Sequence, residues 1–201
     1  MMLTHLRRSV ILAVAVLVLF GIVYPLVGTG VSQLLFRHQA DGSITAHGST
    51  LIGQNWSSKG WFHGRPDDTG PYAANPKSKP PAPGGDNPLV ANGNSGQSGA
   101  TNLGPRSKTL LDNTKALVAY WHARGVDPTP DLVTTSGSGL DPDITPQDAY
   151  VQIPMVAKAT GISPARLRQL IGSQVHAAQL GFLGSDYIVV LQLNEALAKL
   201  K

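Results

Sequence analysis

The stretch VILAVAVLVLFGIVYPLVG, residues 10–28, decides the architecture of this chain. It lies within roughly 28 residues, from Ser9 to Phe36, that carry no charged side chain. About 20 apolar residues cross the hydrocarbon core of a bilayer as a helix, and this stretch is apolar on every face, unlike an amphipathic surface helix. It is also longer than the about 7–15 apolar residues of a cleaved signal peptide. We therefore predict an uncleaved transmembrane helix over residues 9–35, in which Pro25 is tolerated as a kink.

The charged residues beside this helix predict its orientation. Arg7 and Arg8 precede it, whereas Arg37 on the far side is soon followed by Asp41. Positive charge is retained on the cytoplasmic side of a membrane helix. Residues 1–8 are therefore expected in the cytoplasm, and residues 36–201 are expected outside as one extracytoplasmic domain.

The composition of the chain excludes several classes of function. From residue 37 onward, 14 basic residues stand against 12 acidic ones, so the basic face that nucleic-acid binding needs is missing. The chain has no cysteine, which excludes disulfides, thiolate metal sites and cysteine nucleophiles. Aromatic residues make up only 6 %, beside 22 glycines and 15 prolines, so we expect a modest core and much irregular chain.

The pattern beyond the anchor mixes helices and short strands without a βαβ rhythm, which predicts an α+β fold. Residues 41–56 suit short strands with tight turns, and the Pro- and Gly-rich residues 66–106 suit a long loop. Helices are predicted over residues 110–124, 145–160 and 163–172, and a buried strand over 186–193 is predicted to precede a helix from Asn194. The signals for these boundaries are N-caps, an N-terminal capping box, a break and glycine stops: Ser107, Thr145 with Asp148, Ser163, Pro154, Gly125 and Gly161.

Motifs for metal-dependent or nucleotide-dependent catalysis are weak in this sequence. The six histidines form no His-Glu-x-x-His pattern, and the single glutamate is Glu195, so a zinc-hydrolase site is poorly supported. The glycine-rich residues 93–104 lack the lysine of a phosphate-binding loop. His63 and His122 could meet in space, but we interpret both as ordinary core or surface histidines.

The stretch DLVTTSGSGLDPDI, residues 131–144, leaves three interpretations. Neither Ser136 nor Ser138 has glycine both two residues before and two residues after it, as a nucleophile elbow requires. Asp141 and Asp143 have the spacing of calcium ligands, but no further part of an EF-hand follows. Asp, Ser and Gly also make side-chain-to-backbone hydrogen bonds and accept positive φ. We therefore favour a structural loop, with a partner or ligand contact as the second interpretation and catalysis as the third.

Seven segments, in this order and at this spacing, resemble the C subunit of the Kdp-type potassium-transporting P-type ATPase. They are YPLVGTGVSQLLF at 24–36, GSTLIGQ at 48–54, FHGRP at 62–66, SGATNLGP at 98–105, DLVTTSGSGLDPDITPQDA at 131–149, QIPMVAKA at 152–159 and LNEAL at 193–197. The segments cover almost the whole chain. Departures from the family pattern are small and include Asp67 and Asp143, where many members carry serine and histidine.

The resemblance implies an accessory subunit of a bacterial inner-membrane complex that imports potassium with high affinity. Its partners would be a channel-like subunit, a P-type subunit that hydrolyses ATP, and membrane lipid. The family is associated with assembly and with raising the ATP affinity of the hydrolysing subunit, so ATP would act through the complex, with no metal and no cofactor assigned to this chain. The candidate contact residues are Gly53, Gln54, Gly64, Arg65, Pro66, Asn102, Leu103, Gly104, Pro105, Ser136, Gly137, Ser138, Gly139, Leu140, Asp141 and Pro142.

Two further expectations remain open at this point. Gly21, Gly28 and Gly30 would allow a partner helix to approach the membrane helix closely, or they lie in lipid. The alternative to an accessory subunit is a membrane-anchored extracytoplasmic binding domain or serine hydrolase. The hydrolase would need a base and an orienting acid beside Ser136 or Ser138.

Overall fold

A computed structural model describes residues 2–54, 56, 58–66, 98 and 100–201. The chain divides into two compact units, Met1–Ser49 and Thr50–Lys201. Most of the predicted Pro/Gly-rich loop, residues 67–97 and 99, lies outside the described residues.

The first unit is dominated by a helix that is long and apolar enough to cross a membrane, Met2–Leu35. It consists of α1 (Met2–Val18), a π-helical turn (Leu19–Val23) and α2 (Tyr24–Leu35). In the π turn the amide of Tyr24 donates to the carbonyl of Leu19, five residues earlier. Pro25 has no amide hydrogen and its ring crowds the preceding turn, and a π turn is one way in which a helix absorbs such a disturbance.

A short helix and a hairpin complete the first unit. α3 (Arg37–Ala40) follows the long helix, and β1 (Ile44–Thr45) pairs antiparallel with β2 (Gly48–Ser49). The backbone turns into this hairpin at Gly42 and Ser43, which have φ of 87° and 50°. The short strands that the sequence predicts here are confirmed.

Among the described residues of the second unit, the first helix is α4 (Lys108–His122). The hydroxyl oxygen of Ser107 accepts a hydrogen bond from the amide of Leu110, and Gly125 has a left-handed φ of 74° beyond the helix, as predicted. Trp121 is fully buried, and its Nε1 donates to the carbonyl of Leu132 at 2.9 Å. This bond fixes the 3₁₀ turn Asp131–Val133 against α4.

Three consecutive helices follow the loop that contains Ser136, before the last strand and helix. β3 (Asp143–Ile144) leads into α5 (Pro146–Val151), which carries the predicted capping box of Thr145 and Asp148. α6 (Ile153–Thr160) ends at Gly161, and α7 (Pro164–Ser173) starts from the Ser163 cap. Proline at the second residue of α6 cannot donate to α5, so the helix breaks as predicted and leaves Gln152 at the junction.

The predicted strand over residues 186–193 is wrong in extent. β4 is only Ile188–Val189, pairs with β3 in the register Asp143↔Val189 and Ile144↔Ile188, and passes directly into α8 (Val190–Ala198). The helix therefore starts four residues before Asn194. β3 offers only two residues to pair with, and the spacing of the buried residues Val190, Leu193, Asn194 and Leu197 is helical.

The core of the second unit gathers apolar side chains from α4 to α8 around the segment at residue 62. Its fully buried members include Phe62, Trp121, Ala149, Val156, Leu167, Ile171, Leu193 and Leu197. The described residues contain helices together with two short strand pairs, one in each unit, and this mixed content agrees with the predicted α+β class.

Candidate functional site

The segment FHGRP, residues 62–66, is held in the core by two buried side-chain amides. Asn194 on α8 accepts from the amide of Phe62 (2.9 Å) and donates to its carbonyl (2.8 Å). Gln152 does the same for His63, at 2.7 Å and 3.0 Å. Both amide side chains are fully buried. Each side-chain amide makes the two hydrogen bonds that a neighbouring strand would make. The N–H and C=O groups of Phe62 and His63 therefore have partners inside the core although, among the described residues, no strand pairs with them.

The side chain of Arg65 binds both the 3₁₀ turn and the loop that follows it. We call Arg65 and its acceptors on Asp131, Thr134, Thr135 and Asp141 the clamp. Its guanidinium lies 3.3 Å from a carboxylate oxygen of Asp141 and 3.7 Å from one of Asp131. It also donates to the carbonyls of Thr134 (3.5 Å) and Thr135 (3.4 Å). With a side chain that is 23 % exposed, Arg65 joins both ends of the loop. The planar fork of donors on arginine suits this spread of acceptors better than a lysine ammonium would.

The loop of residues 136–142 is organised by its own side chains. The hydroxyl oxygen of Ser136 accepts from the amide of Gly139 (2.9 Å), and that of Ser138 accepts from the amide of Leu140 (3.1 Å). The two hydroxyls are 3.2 Å apart, and Gly139 has a φ of 68°. These hydrogen bonds from backbone amides to side-chain oxygens are typical of a turn that its own side chains stabilise. They support the structural interpretation of the loop.

Two other predicted segments donate hydrogen bonds to backbone carbonyls of this loop. The amide of Gly53 donates to the carbonyl of Leu140 at 2.8 Å, and the hydroxyl of Ser98 donates to the carbonyl of Ser138 at 2.9 Å. Gly53, Gly64, Pro66, Ser136 and Gly139 are buried, whereas Gly137 and Ser138 are exposed. The exposed face of this loop is thus only its tip.

An open pocket of about 320 Å³ lies beside the clamp and is strongly acidic. Its charged side chains are those of Arg65, Asp131, Asp141, Asp143, Asp148 and Asp186. Burial, aided by the charge of Asp141 and opposed by His176, raises the pKa of Asp143 to about 6. Among the described residues, no three carboxylate or histidine side chains are arranged to hold a metal ion. The calcium interpretation of Asp141 and Asp143 therefore gains no support.

Asp148 is the pocket carboxylate with the most complete set of partners. It is fully buried, accepts from the amide of Thr145 at 2.8 Å and from the hydroxyl of Thr129, and its carbonyl accepts from the side chain of Gln152. Its negative charge is thus satisfied by donors within the fold. Asp148 serves the architecture of the site.

The two histidines considered from the sequence occupy different environments. His63 is fully buried, with its ring 5.2 Å from that of Trp121 and its Nε2 3.0 Å from the carbonyl of Ser58. His122 is exposed and lies 3.4 Å from a carboxylate oxygen of Asp127. Their interpretation as core and surface histidines agrees with this arrangement.

Residues 102–105 and Gln54 belong to the second unit, as the clamp does. In the segment at residues 102–105 the hydrogen bonds are local, such as those from Asn102 to the carbonyl of Ala100 and from Ser107 to that of Gly104. Asn102 has a left-handed φ of 52°, and Leu103 is half-buried while Pro105 is exposed. Gln54 is half-buried. Gly21, Gly28 and Gly30 belong to the first unit, and a Cβ at each would meet open space, so their role in helix packing stays a prediction.

Sequence reasoning missed the residues that organise the site. Gln152 is the first residue of the segment QIPMVAKA, and Asn194 lies within LNEAL. Their role depends on hydrogen bonds to residues that are 89 and 132 positions away in the chain. A signal was present for both, since an amide side chain at a core position needs a buried polar partner. The partner itself could not be read from the spacing.

Comparison with known proteins covers almost the whole chain. The family described as the c chain of K⁺-transporting ATPase, KdpC, matches residues 6–199. A potassium-transporting ATPase KdpC subunit of Methylobacterium nodulans is 43 % identical over 207 residues, which cover 99 % of this chain and 98 % of that protein. Proteins of the same name from Rhodopseudomonas palustris and Methylorubrum extorquens are 41 % and 40 % identical, over 98 % and 99 % of this chain and 97 % and 98 % of their own length.

Proposed function

Because the chain belongs to the KdpC family of K⁺-transporting ATPase c chains, we propose that it is an accessory subunit of a high-affinity, ATP-driven potassium import complex. The observation that carries the proposal is the match over residues 6–199, which includes most of the membrane-length helix and the clamp around Arg65. The partners are a channel-like subunit and a P-type subunit that hydrolyses ATP.

Affinity purification tests this proposal directly. A tagged full-length chain is recovered in mild detergent from membranes of potassium-limited cells. We expect a large ATP-hydrolysing subunit and a channel-like subunit to co-elute, together with K⁺-stimulated ATP hydrolysis. Recovery of the 21.1 kDa chain alone, without ATPase activity, would contradict the proposal.

We propose that the chain itself catalyses no reaction. The hydroxyls of Ser136 and Ser138 bond to the loop backbone and to each other, which is the geometry of a turn, and a nucleophile would instead need a general base at hydrogen-bond distance. The test is an assay of the purified chain with ester and phosphoester substrates. Turnover that disappears in Ser136→Ala or Ser138→Ala would establish the serine-hydrolase alternative.

The proposed topology places residues 1–8 in the cytoplasm of a single-pass inner-membrane protein, with residues 36–201 outside. The chain lacks cysteine, so one introduced thiol reports its own side of the membrane. In cells with a permeable outer envelope, an impermeant thiol reagent should label Ser138→Cys, because that side chain is exposed. Thr4→Cys in the N-terminal segment is the matched control and should react only after the inner membrane is opened. The reverse pattern would invert the topology.

An effect on ATP affinity is compatible with this topology through linkage between separate sites. If the domain binds one conformation of the complex more tightly than another, it shifts the population of that conformation and thus the affinity for ATP, by a coupling of typically about 1–3 kcal/mol. We therefore expect the complex that lacks this chain to require about 5-fold to 150-fold more ATP for half-maximal activity. An unchanged requirement would restrict the role to assembly.

A further inference from the structure

Residues 176–187 form a hairpin that we call the apolar tongue. Its base is closed by paired backbone hydrogen bonds between His176 and Tyr187, at 2.8 Å and 3.0 Å. Nearer the tip, Gln179 and Leu183 exchange bonds of 3.0 Å and 2.9 Å. Leu180 and Gly181 have left-handed φ values of 54° and 78°, so the chain reverses tightly at the tip.

The tip of the tongue presents apolar side chains to the surroundings. Leu180 is 83 % exposed, Phe182 is 73 % exposed and Leu183 is 50 % exposed. Three large, exposed apolar residues within positions 180–183 make this tip an apolar patch, unlike the singly scattered apolar residues of an ordinary surface. Such a patch indicates a surface that another molecule covers.

The tongue is braced, so this presentation is preorganised. A carboxylate oxygen of Asp186 accepts from the amide of Ala178 at 3.0 Å. The rings of His176 and Tyr187 stack with centroids 4.9 Å apart and an interplanar angle of 15°, and His176 Nε2 lies 3.3 Å from the side-chain oxygen of Gln192 on α8. Binding through a rigid element loses less conformational entropy than binding through a mobile loop.

The charge around the tongue favours a protein over a lipid surface. The sequence has no lysine or arginine between Arg168 and Lys199, and Asp186 and Tyr187 at the base of the tongue line the acidic pocket. Five aspartates and, among the described residues, one cation line that pocket. The cation, Arg65, already pairs with Asp131 and Asp141, and Asp143 Oδ1 has no hydrogen-bond partner among the described residues. An anionic membrane attracts basic segments and repels acidic ones. A protein cleft with an apolar floor and a rim of lysine and arginine complements both the apolar tip of the tongue and the acidic pocket at its base.

We infer that the apolar tongue docks into such a cleft on another protein subunit of the complex, with Leu180 and Phe182 as anchors and the acidic pocket facing the basic rim. This inference rests on the proposed function, since it requires a stable complex. Aromatic anchors at the centre of an interface commonly dominate its affinity.

Site-specific crosslinking in the intact complex tests the inference. In the cysteine-free chain, Phe182→Cys carries a benzophenone maleimide, and Leu111→Cys on α4 is the matched control because Leu111 is 52 % exposed. We expect illumination of the complex to join the Phe182→Cys chain to a protein subunit, and the control to give at least about tenfold less of that product. Crosslinks to lipid only, or equal protein crosslinks from both sites, would overturn the inference.

A binding measurement complements the crosslink. Phe182→Ser should weaken retention of the partner subunits by about tenfold or more, as removal of an interface anchor does, whereas Leu111→Ser should leave retention unchanged. Because Phe182 is exposed, its variant should keep the unfolding midpoint of the unmodified chain. If the unmodified chain retains its partners and Phe182→Ser retains them equally, the inference fails and the proposed function stands. If the unmodified chain retains no partner, the proposed function fails.

Discussion

Replacement of Asn194 by leucine tests how the core holds the segment at residues 62–66. Asn194 is fully buried, and its amide satisfies both the N–H and the C=O of Phe62, at 2.9 Å and 2.8 Å. Leucine is similar in size but forms no hydrogen bond. In Asn194→Leu both backbone groups of Phe62 would remain buried without partners.

The expected loss follows from these two groups. Each buried polar group left without its partner costs about 1–3 kcal/mol, so the pair costs about 2–5 kcal/mol after the modest gain from the more apolar side chain. A domain of this size is stable by about 5–15 kcal/mol. The variant should therefore lose a large fraction of its stability while it keeps the packing volume of the core.

Denaturant titration of the full-length chain in mild detergent measures this loss. The chain has three tryptophans, Trp56, Trp61 and Trp121, and all lie in the second unit, so their fluorescence reports its unfolding. With a urea dependence of about 1–3 kcal/mol per molar, the midpoint of Asn194→Leu should fall by roughly 1–2 M. Gln192→Leu on the same helix is the matched control, since its bond to His176 is exposed, and it should change stability by less than about 0.5 kcal/mol.

Equal midpoints for the two variants would refute the argument that the amide holds Phe62. Asn194→Asp adds a sharper readout, because an ionised carboxylate would face the carbonyl of Phe62 without a proton to donate. Burial raises the pKa of such a carboxyl. Its protonated form restores one donor and one acceptor, so the stability deficit of this variant should shrink as the pH falls.

Three further predictions concern the pocket, the clamp and the membrane helix. Asp143→Asn should stabilise the chain by roughly 1 kcal/mol at pH 7: a rise in pKa from 3.8 to about 6 corresponds to about 3 kcal/mol, which solvent screening in the open pocket reduces. Stability that depends on protonated Asp143 is lost as the pH rises from about 4 to about 6, so the variant should flatten the melting profile there. Arg65→Lys should speed hydrogen exchange of residues 134–141 by about tenfold, because one ammonium cannot reach all the acceptors of the fork. Gly21→Leu should lower recovery of the complex in affinity purification, since a large side chain separates packed membrane helices.

Matched variants separate these effects from general damage. Asp127→Asn changes a fully exposed aspartate and should leave the pH profile of melting unaltered; an equal gain from both aspartate variants would argue against a special environment at Asp143. Arg106→Lys, at an exposed arginine, should not alter exchange at residues 134–141. Ala15→Leu is a small-to-large change elsewhere on the membrane helix and should leave recovery of the complex unchanged. Unchanged recovery for Gly21→Leu as well would contradict helix packing at Gly21.

The sequence alone determined the elements whose cause is local. The apolar run at residues 10–28 predicts a membrane-length helix because length and hydrophobicity suffice for that conclusion. The caps at Ser107, Thr145 and Ser163, the break at Pro154 and the stop at Gly161 act within one helical turn, and all appear where the sequence places them. The seven quoted segments, in their order along the chain, were likewise enough to indicate the family.

The tertiary structure decided what depends on partners distant in the chain. The β-branched residues 188–190 favour a strand, yet α8 starts at Val190 because β3 provides only two residues to pair with. Gln152 and Asn194 reach the backbone of residues 62 and 63, and Arg65 reaches Asp131 and Asp141. A hydrogen bond or an ion pair between distant residues has no period in the sequence, so only the folded chain shows which donor meets which acceptor. The exposure of Leu180 and Phe182 likewise follows only from the tertiary structure, in which the core forms from other residues.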